Sequence, residues 1–257
     1  MKLNFTESGD GAPIVIVHGL FGSGRNWGTL GKALAKTWRV ITVDMRNHGA
    51  SPWDARMDYP AMADDLLELI ADEGLDRPVL LGHSMGGKAA MAAALTEPGA
   101  IGALIVADIA PVAYGHSHEP HIKAMCALDL SVIARRGDAD AALSAAVPEP
   151  GLRGFLLHNL SFGDDGPSWN INLDVLDAAM PDLVAFPYEA GQTRYDGETL
   201  FIRGGASPYV PPGHEAAITG FFPQAAIETI EGAGHWIHAE RPAEFLVAVE
   251  RFLAGVD

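Results

Sequence analysis

The stretch LLGHSMGG, residues 80–87, decides how this chain folds. It continues an apolar run and leads into an alanine- and methionine-rich segment, Met85–Glu97, so it predicts a sharp turn from a strand into a helix. A serine on such a turn has a strained backbone, and only small residues tolerate the close approach of the chain on either side, as at Gly82 and Gly86. We therefore predict that the hydroxyl of Ser84 stands above the strand end, beside the unpaired N–H groups of a helix N-terminus.

Short apolar runs alternate with helical patterns along the rest of the chain. The predicted strands are Pro13–Val17, Arg39–Val43, Pro78–Leu81, Ala103–Ala107, Thr199–Arg203 and Ala226–Ile230, with residues 1–6 as a more polar edge strand. Several runs have no polar face, which is typical of strands buried on both sides of a parallel sheet. Predicted helices include Pro60–Glu73 and Pro242–Ala254. The alternation predicts an α/β fold with a mostly parallel sheet flanked by helices.

Residues 111–190 interrupt this alternation. They contain helical stretches such as Asp138–Ala146 and Asp174–Met180, separated by prolines and glycines, and no convincing buried strand. A block of this length is too long for a plain crossover between two strands. We therefore predict an α/β core formed by residues 1–110 and 191–257, and a helical cap inserted at residues 111–190.

A serine hydroxyl becomes a good nucleophile only when a base takes its proton. For a nucleophile on a strand-to-helix turn, the usual chain order is serine, acid, histidine. Three histidines lie well beyond the predicted cap: His214, His235 and His238. His235 follows the last predicted strand in a loop of small residues, and we predict that it is the base.

The sequence indicates less clearly which acidic residue would bind the histidine. Its commonest position is the loop GGASPYV, residues 204–210, but this loop contains no Asp or Glu, and Ser207 stands in that place. Asp108 directly follows the predicted strand Ala103–Ala107 and would share one edge of the sheet with Ser84. We predict Asp108 as the acid. The alternatives that stay open are Glu215 and Asp196.

A glycine-rich turn, HGLFGS at residues 18–23, follows the first buried strand. Such a turn can direct a backbone N–H at the oxyanion that forms when a hydroxyl attacks a carbonyl, and the residue after the nucleophile supplies a second N–H. We assign these donors to Leu20, with Phe21 as second choice, and to Met85. Residues expected to line a pocket for the acyl group of a substrate are Phe21, Trp236, Tyr209, Phe155 and Trp169.

Several histidines near the start of the predicted cap could in principle bind a metal ion. They are His116, His118 and His121, with Glu119 among them. Their spacing matches no closed zinc site. We therefore expect neither a metal nor another cofactor.

Composition and charge exclude several classes of protein. The formal net charge of −16 argues against binding to nucleic acid or to an anionic membrane surface. The single cysteine, Cys126, excludes an intrachain disulfide and a cysteine-based zinc site. Neither a membrane-spanning apolar segment nor the apolar core of a signal peptide is present. We expect a cytoplasmic protein that acts on a small molecule; the sequence does not predict its oligomeric state.

Five motifs together resemble the α/β-hydrolase superfamily. They are HGLFGS at 18–23, DMRNHGAS at 44–51, GHSMGG at 82–87, VADIAP at 106–111 and GAGHW at 232–236. More narrowly, the whole chain resembles the small bacterial esterases and their animal relatives of the abhydrolase-11 group. The resemblance implies an eight-stranded, mostly parallel sheet with a helical cap, and it matches Ser84 to the nucleophile, His235 to the base and Asp108 to the acid. It also implies hydrolysis of carboxylic esters, and of thioesters in some members.

Together these features predict a cofactor-free serine hydrolase that cleaves esters of small to medium, apolar acyl groups through an acyl-enzyme. Two alternatives stay open. The same site could perform another reaction, such as perhydrolysis or the hydrolysis of a carbon–carbon bond, or the chain could be a ligand-binding relative without catalytic activity. The same three side chains would serve each reaction, so the sequence does not separate them.

Overall fold

The computed structural model describes residues 1–115 and 117–256, and in this part of the chain seven strands form one mostly parallel sheet. The strands in chain order are β1 (Asn4–Ser8), β2 (Pro13–Val17), β3 (Arg39–Asp44), β4 (Val79–His83), β5 (Ala103–Ala107), β6 (Leu160–Gly163), β7 (Gly166–Trp169), β8 (Glu198–Gly204) and β9 (Ala225–Ile230). The sheet has the order β1-β3-β2-β4-β5-β8-β9, and only the edge strand β1 runs antiparallel to its neighbour. The prediction of a mostly parallel α/β sheet is confirmed.

Helices cover both faces of this sheet. In chain order they are α1 (Gly28–Leu34), α2 (Tyr59–Asp72), α3 (Met85–Thr96), α4 (Glu119–Cys126), α5 (Arg136–Leu143), α6 (Pro150–Leu157), α7 (Leu173–Ala178), α8 (Met180–Val184), α9 (Glu215–Phe221), α10 (Ile237–Glu240) and α11 (Pro242–Leu253). Helices α2, α3 and α9 share one apolar core, and α1 and α11 share the other. None of the helices in the described ranges combines the length and the apolar character needed to cross a bilayer.

The apolar runs reflect this double burial. In β2, Val15 and Val17 belong to the core on one face of the sheet, whereas Ile14 and Ile16 belong to the core on the other. Successive side chains of a strand point to opposite faces, so a strand that is covered on both sides must be apolar throughout. This is why IVIV and LIVA mark the central strands so clearly.

The register of the parallel strands brings their carboxyl ends to one edge of the sheet. Val17 pairs with Gly82, Gly82 pairs with Val106, and Val106 pairs with Phe201. The turns that follow β2, β4, β5 and β8 therefore meet at this edge. In open α/β sheets, ligands bind in the crevice outside these strand ends.

The main sheet has seven strands in the described residues, so the expectation of eight is wrong for this part of the chain. The segment 111–190 is also not purely helical, because β6 and β7 form an antiparallel hairpin within it. This hairpin is short, mostly exposed or half-buried, and contains Pro167, which has no N–H to donate. It therefore lacks the apolar signature that revealed the strands of the sheet.

The segment 111–190 packs against the core through specific hydrogen bonds as well as apolar contacts. The Asn159 amide donates to the Phe21 carbonyl at 2.8 Å, and the Tyr59 hydroxyl donates to the Leu183 carbonyl at 2.6 Å. The Lys88 ammonium donates to the carbonyls of Val184 and Ala185. These contacts hold the segment over the carboxyl ends of the strands.

Candidate active site

Ser84, His235 and Asp108 form one chain of hydrogen bonds at the carboxyl edge of the sheet. The Nε2 atom of His235 lies 3.1 Å from Oγ of Ser84, and its Nδ1 atom lies 2.8 Å from Oδ2 of Asp108. A carboxylate oxygen accepts, so Nδ1 carries the proton and Nε2 is left free to accept the serine proton. This is the tautomer that a general base for Ser84 requires.

The turn that carries Ser84 is strained in the way the sequence predicts. Ser84 lies between β4 and α3 with φ of 52° and ψ of −121°, a conformation that residues other than glycine rarely adopt. A Cβ atom on Gly82 would lie 2.3 Å from the Gly86 carbonyl oxygen, and one on Gly86 would lie 2.4 Å from the His18 carbonyl oxygen. Only glycine fits at these two positions, so the motif reflects close backbone packing around the serine.

Asp108 is completely buried and is held by two groups besides His235. Its Oδ1 accepts from the Gly204 N–H at 2.9 Å, and its Oδ2 accepts a short hydrogen bond from the Ser207 hydroxyl. Asp108 also has a positive φ of 50°, which turns the chain sharply at the end of β5. The loop 204–210 contains no Asp or Glu, but its Ser207 binds the carboxylate of Asp108.

The two alternative acids lie elsewhere. Glu215 is exposed and pairs with Arg203 at 3.1 Å, and Asp196 is exposed and pairs with Arg194 at 3.0 Å. Both carboxylates therefore pair with arginines at the surface of the protein. Of the candidates considered, Asp108 is the one that reaches the imidazole.

Two further contacts hold His235, one to its imidazole and one to its backbone carbonyl. The Tyr209 ring stacks on it with 3.8 Å between ring centroids and 14° between planes. The Nε2 atom of His83 lies 2.8 Å from the His235 carbonyl oxygen, so His83 donates to it and holds the loop after β9. Burial and the neighbouring His238 and His235 hold the pKa of His83 well below its usual range, and the neutral ring can keep this role at neutral pH.

The glycine-rich turn after β2 lies against the serine. His18 donates through Nδ1 to the Gly19 carbonyl at 2.8 Å and accepts through Nε2 from the Met45 N–H at 3.0 Å, so it orders the turn. Burial lowers the pKa of His18, which favours this neutral form.

Phe21, in the same turn, has a positive φ of 63°. Its carbonyl accepts from Asn159 of the segment 111–190, a contact that no pattern in the sequence indicates.

Two cavities meet at Ser84. The larger has a volume of about 180 Å³ and is lined by His235; the smaller has a volume of about 40 Å³ and is lined by Met85. Leu20, Ser84, His118 and Tyr209 line both cavities. The larger cavity is also lined by Phe21, Phe155 and Trp236, which the sequence analysis proposed as pocket residues.

Trp169 does not lie at the pocket, where the sequence analysis expected it. It lies in the hairpin strand β7, where it pairs with Leu160 and packs against the apolar cores, and it lines neither cavity. A tryptophan that fills a core and one that lines a pocket have the same sequence signature, so the aromatic character of the segment could not separate the two roles.

The histidines considered as metal ligands do not form a site in the described residues. There, no group of three or more His, Cys, Asp or Glu side chains is arranged to hold a metal ion. His118 and His121 line the larger cavity, with 5.9 Å between their ring centroids. His116 lies outside the described residues.

Comparisons with known proteins agree with this architecture. The model of the alpha/beta hydrolase family matches residues 14–249. The chain is 44% identical to the sn-1-specific diacylglycerol lipase ABHD11 of Mus musculus over 94% of this chain and 80% of that protein. It is 40% identical to esterase YbfF of Escherichia coli (strain K12) over 98% of this chain and 99% of that protein.

A solved structure of similar fold is described as a marine microorganism esterase. It superposes with a TM-score of 0.94 at 36% identity and covers 98% of this chain and 99% of that chain. The family model spans most of the chain, and the curated relatives span nearly all of it. The chain therefore belongs to the alpha/beta hydrolase family, as its motifs predict.

Proposed function

We propose that this carboxylesterase-type hydrolase cleaves carboxylic esters, with thioesters as a second class, whose acyl groups are small to medium and largely apolar. The observation that carries the proposal is the hydrogen-bond chain from Ser84 through His235 to Asp108, which opens into two apolar-walled cavities. The relatives named as esterase and lipase support the same class of reaction. The cytoplasmic location expected from the sequence stays a prediction.

The proposed mechanism begins with attack of the Ser84 hydroxyl on the ester carbonyl while His235 takes its proton at Nε2. Asp108 holds the imidazole through Nδ1 and stabilises the imidazolium that forms. The backbone N–H groups of Leu20 and Met85 would bind the tetrahedral oxyanion. His235 then protonates the leaving alcohol, an acyl-enzyme remains, and water enters and repeats the sequence to release the acid.

We infer that the segment 111–190 acts as a cap that limits the acyl group. Its residues Met180, Leu183 and Val184 line the smaller cavity, on the side of Met85. Rates on p-nitrophenyl esters of increasing chain length should therefore pass through an optimum. A rate that does not depend on chain length would contradict the role of the cap.

Labelling with a serine-directed fluorophosphonate tests the nucleophile. The wild-type protein should become labelled and lose its esterase activity, and Ser84→Ala should show neither labelling nor turnover. Ser131→Ala, at an exposed serine of the segment 111–190, is the matched control and should behave as wild type. A Ser84→Ala variant that still hydrolyses esters at the wild-type rate would overturn the proposal.

A further inference from the structure

Lys88 is a buried cation one helical turn beyond Ser84. Only 1% of its surface is exposed, and its backbone N–H donates to the Ser84 carbonyl at 3.1 Å. Residues four apart in a helix lie on the same face, with about 6 Å between their Cβ atoms. Side chains on a helix lean towards its N-terminus, so the long side chain of Lys88 extends from α3 towards the edge of the sheet where the serine lies.

The ammonium group of Lys88 has two hydrogen-bond partners and no counter-charge among the described residues. Its Nζ donates to the carbonyls of Val184 at 3.0 Å and Ala185 at 2.7 Å, and it lies 5.4 Å and 4.8 Å from the ring centroids of Tyr59 and Tyr114. The charged ammonium form has three N–H donors, one more than these two carbonyls accept, so the charged form has a donor for a ligand. Burial without an opposing charge lowers the pKa of Lys88 to about 7.

The two tyrosines beside Lys88 do not supply a negative charge that would pair with its ammonium group. The Tyr59 hydroxyl donates to the Leu183 carbonyl, and the Tyr114 hydroxyl donates to the Tyr209 carbonyl while it accepts from the Ala110 N–H. Burial raises the pKa of Tyr59 and of Tyr114, so both stay neutral. A buried cation is costly unless it is paired. A ligand that brings a negative charge would therefore be stabilised at this position.

The two cavities can be assigned to the two halves of an ester. The leaving alcohol must take a proton from His235, so it must lie on the side of His235, which lines the larger cavity. His235 does not line the smaller cavity, which Met85 and Lys88 line instead. We therefore place the acyl group in the smaller cavity, which Lys88 also lines. With this assignment, Phe21, Phe155 and Trp236 lie on the side of the alcohol and not on that of the acyl group.

We propose that Lys88 forms an anion subsite, and that the preferred acyl group is a short chain of apolar methylene groups that ends in a carboxylate, as in a monoester of a dicarboxylic acid. This proposal rests on the proposed ester hydrolysis and names its substrate class. The apolar walls of the cavity, including Ile109, Met180 and Leu183, would surround the methylene groups. The third N–H of Lys88 would bind the terminal carboxylate.

The test compares three methyl esters that differ at the far end of the acyl chain: monomethyl succinate, methyl 4-oxopentanoate and methyl pentanoate. The first carries a carboxylate where the second carries a neutral methyl ketone of similar shape, and the third is apolar. The ratio of kcat/KM between the first two esters, measured by methanol release at pH 7, isolates the contribution of the charge. A charge-assisted hydrogen bond predicts that the wild-type protein prefers monomethyl succinate by about 10- to 100-fold.

Lys88→Met should abolish this preference and change kcat/KM for the two neutral esters by a common factor. Lys88→Arg, which keeps the positive charge, should retain part of the preference. Lys36→Met removes a charge from an exposed position and should keep the wild-type ratio, which controls for long-range attraction of an anionic substrate. A Lys88→Met variant that is slowed equally on all three esters would show that Lys88 only anchors residues 184–185, and would overturn the subsite.

If Lys88→Met does not fold, the wild-type protein alone still tests the anion subsite. Turnover of methyl pentanoate without a preference for monomethyl succinate would overturn the anion subsite and leave ester hydrolysis intact. Failure to hydrolyse any of the three esters, together with failure of Ser84 to react with a fluorophosphonate, would overturn both proposals.

Discussion

Asp108 and His235 are 127 positions apart in the chain, yet Oδ2 of Asp108 lies 2.8 Å from Nδ1 of His235. The aspartate comes from the end of β5 and the histidine from the loop after β9, with β8 between the two strands in the sheet. The carboxylate of Asp108 has no access to solvent. This contact makes Asp108 the acid in our proposed mechanism.

Replacing Asp108 by Asn should leave the fold intact and reduce kcat by about 10³-fold or more, because an amide does not hold the imidazole in the required tautomer. Asn is the suitable substitution because it tolerates the positive φ of this position, which Ala does not. The measurement is kcat on a p-nitrophenyl ester, with circular dichroism to check folding.

Glu215→Gln and Asp196→Asn are matched controls for this prediction. Both remove a carboxylate that pairs with an arginine at the surface, so both variants should keep wild-type activity. If either variant loses activity while Asp108→Asn keeps it, the assignment of the acid is wrong.

Ser207→Ala should lower kcat by about tenfold and leave KM nearly unchanged. The hydroxyl of Ser207 donates to the same Asp108 oxygen that accepts from His235, so its loss frees the carboxylate to shift away from the imidazole. Steady-state kinetics on one ester measure the effect. Ser207→Thr keeps the hydroxyl and should restore most of the activity, whereas a KM effect alone would assign Ser207 to substrate binding.

His238→Gln should make the protein less sensitive to acid. His238 is buried beside Trp27, and its Nδ1 has no hydrogen-bond partner among the described residues. Burial together with His235 lowers its pKa to about 4. The unfolded chain binds this proton below about pH 6.5 and the folded chain only below about pH 4, so the stability of the wild-type protein falls between these values.

For His238 alone, this shift amounts to a loss of about 3 kcal/mol between pH 6.5 and pH 4. Urea unfolding of both proteins at pH 7, 5.5 and 4 measures the effect. The free energy of unfolding should decrease less steeply in His238→Gln than in the wild-type protein. Equal slopes would mean that His238 titrates normally in the folded state.

Gly86→Ala should destabilise the protein by about 3 kcal/mol, since the added Cβ would lie 2.4 Å from the His18 carbonyl oxygen and 2.5 Å from that of Val17. Backbone atoms cannot move aside as a flexible side chain can. Thermal unfolding measures the change. Gly28→Ala is the control, because a Cβ there meets no atom within 4 Å and this position lies in a helix, so that variant should be as stable as wild type or slightly more stable.

Much of this architecture can be predicted from local patterns. The predicted strands Pro13–Val17 and Ala103–Ala107 match β2 and β5 residue for residue, because burial on both faces leaves an unbroken apolar run. The turn at Ser84 can also be predicted from the sequence, because steric contact allows only glycine at Gly82 and Gly86. The hairpin of β6 and β7 was missed because its residues are partly exposed and follow no apolar period.

Local sequence patterns were enough to predict the α/β class, the strand-to-helix turn at Ser84 and the candidate base His235, since these depend on backbone sterics and on which segments are apolar. Three relationships became visible only in the folded chain: Ser207 binds Asp108, Trp169 packs against the apolar cores, and Lys88 is buried near the serine with no counter-ion among the described residues. Such relationships depend on the order and register of distant strands, which bring together residues that no local pattern connects.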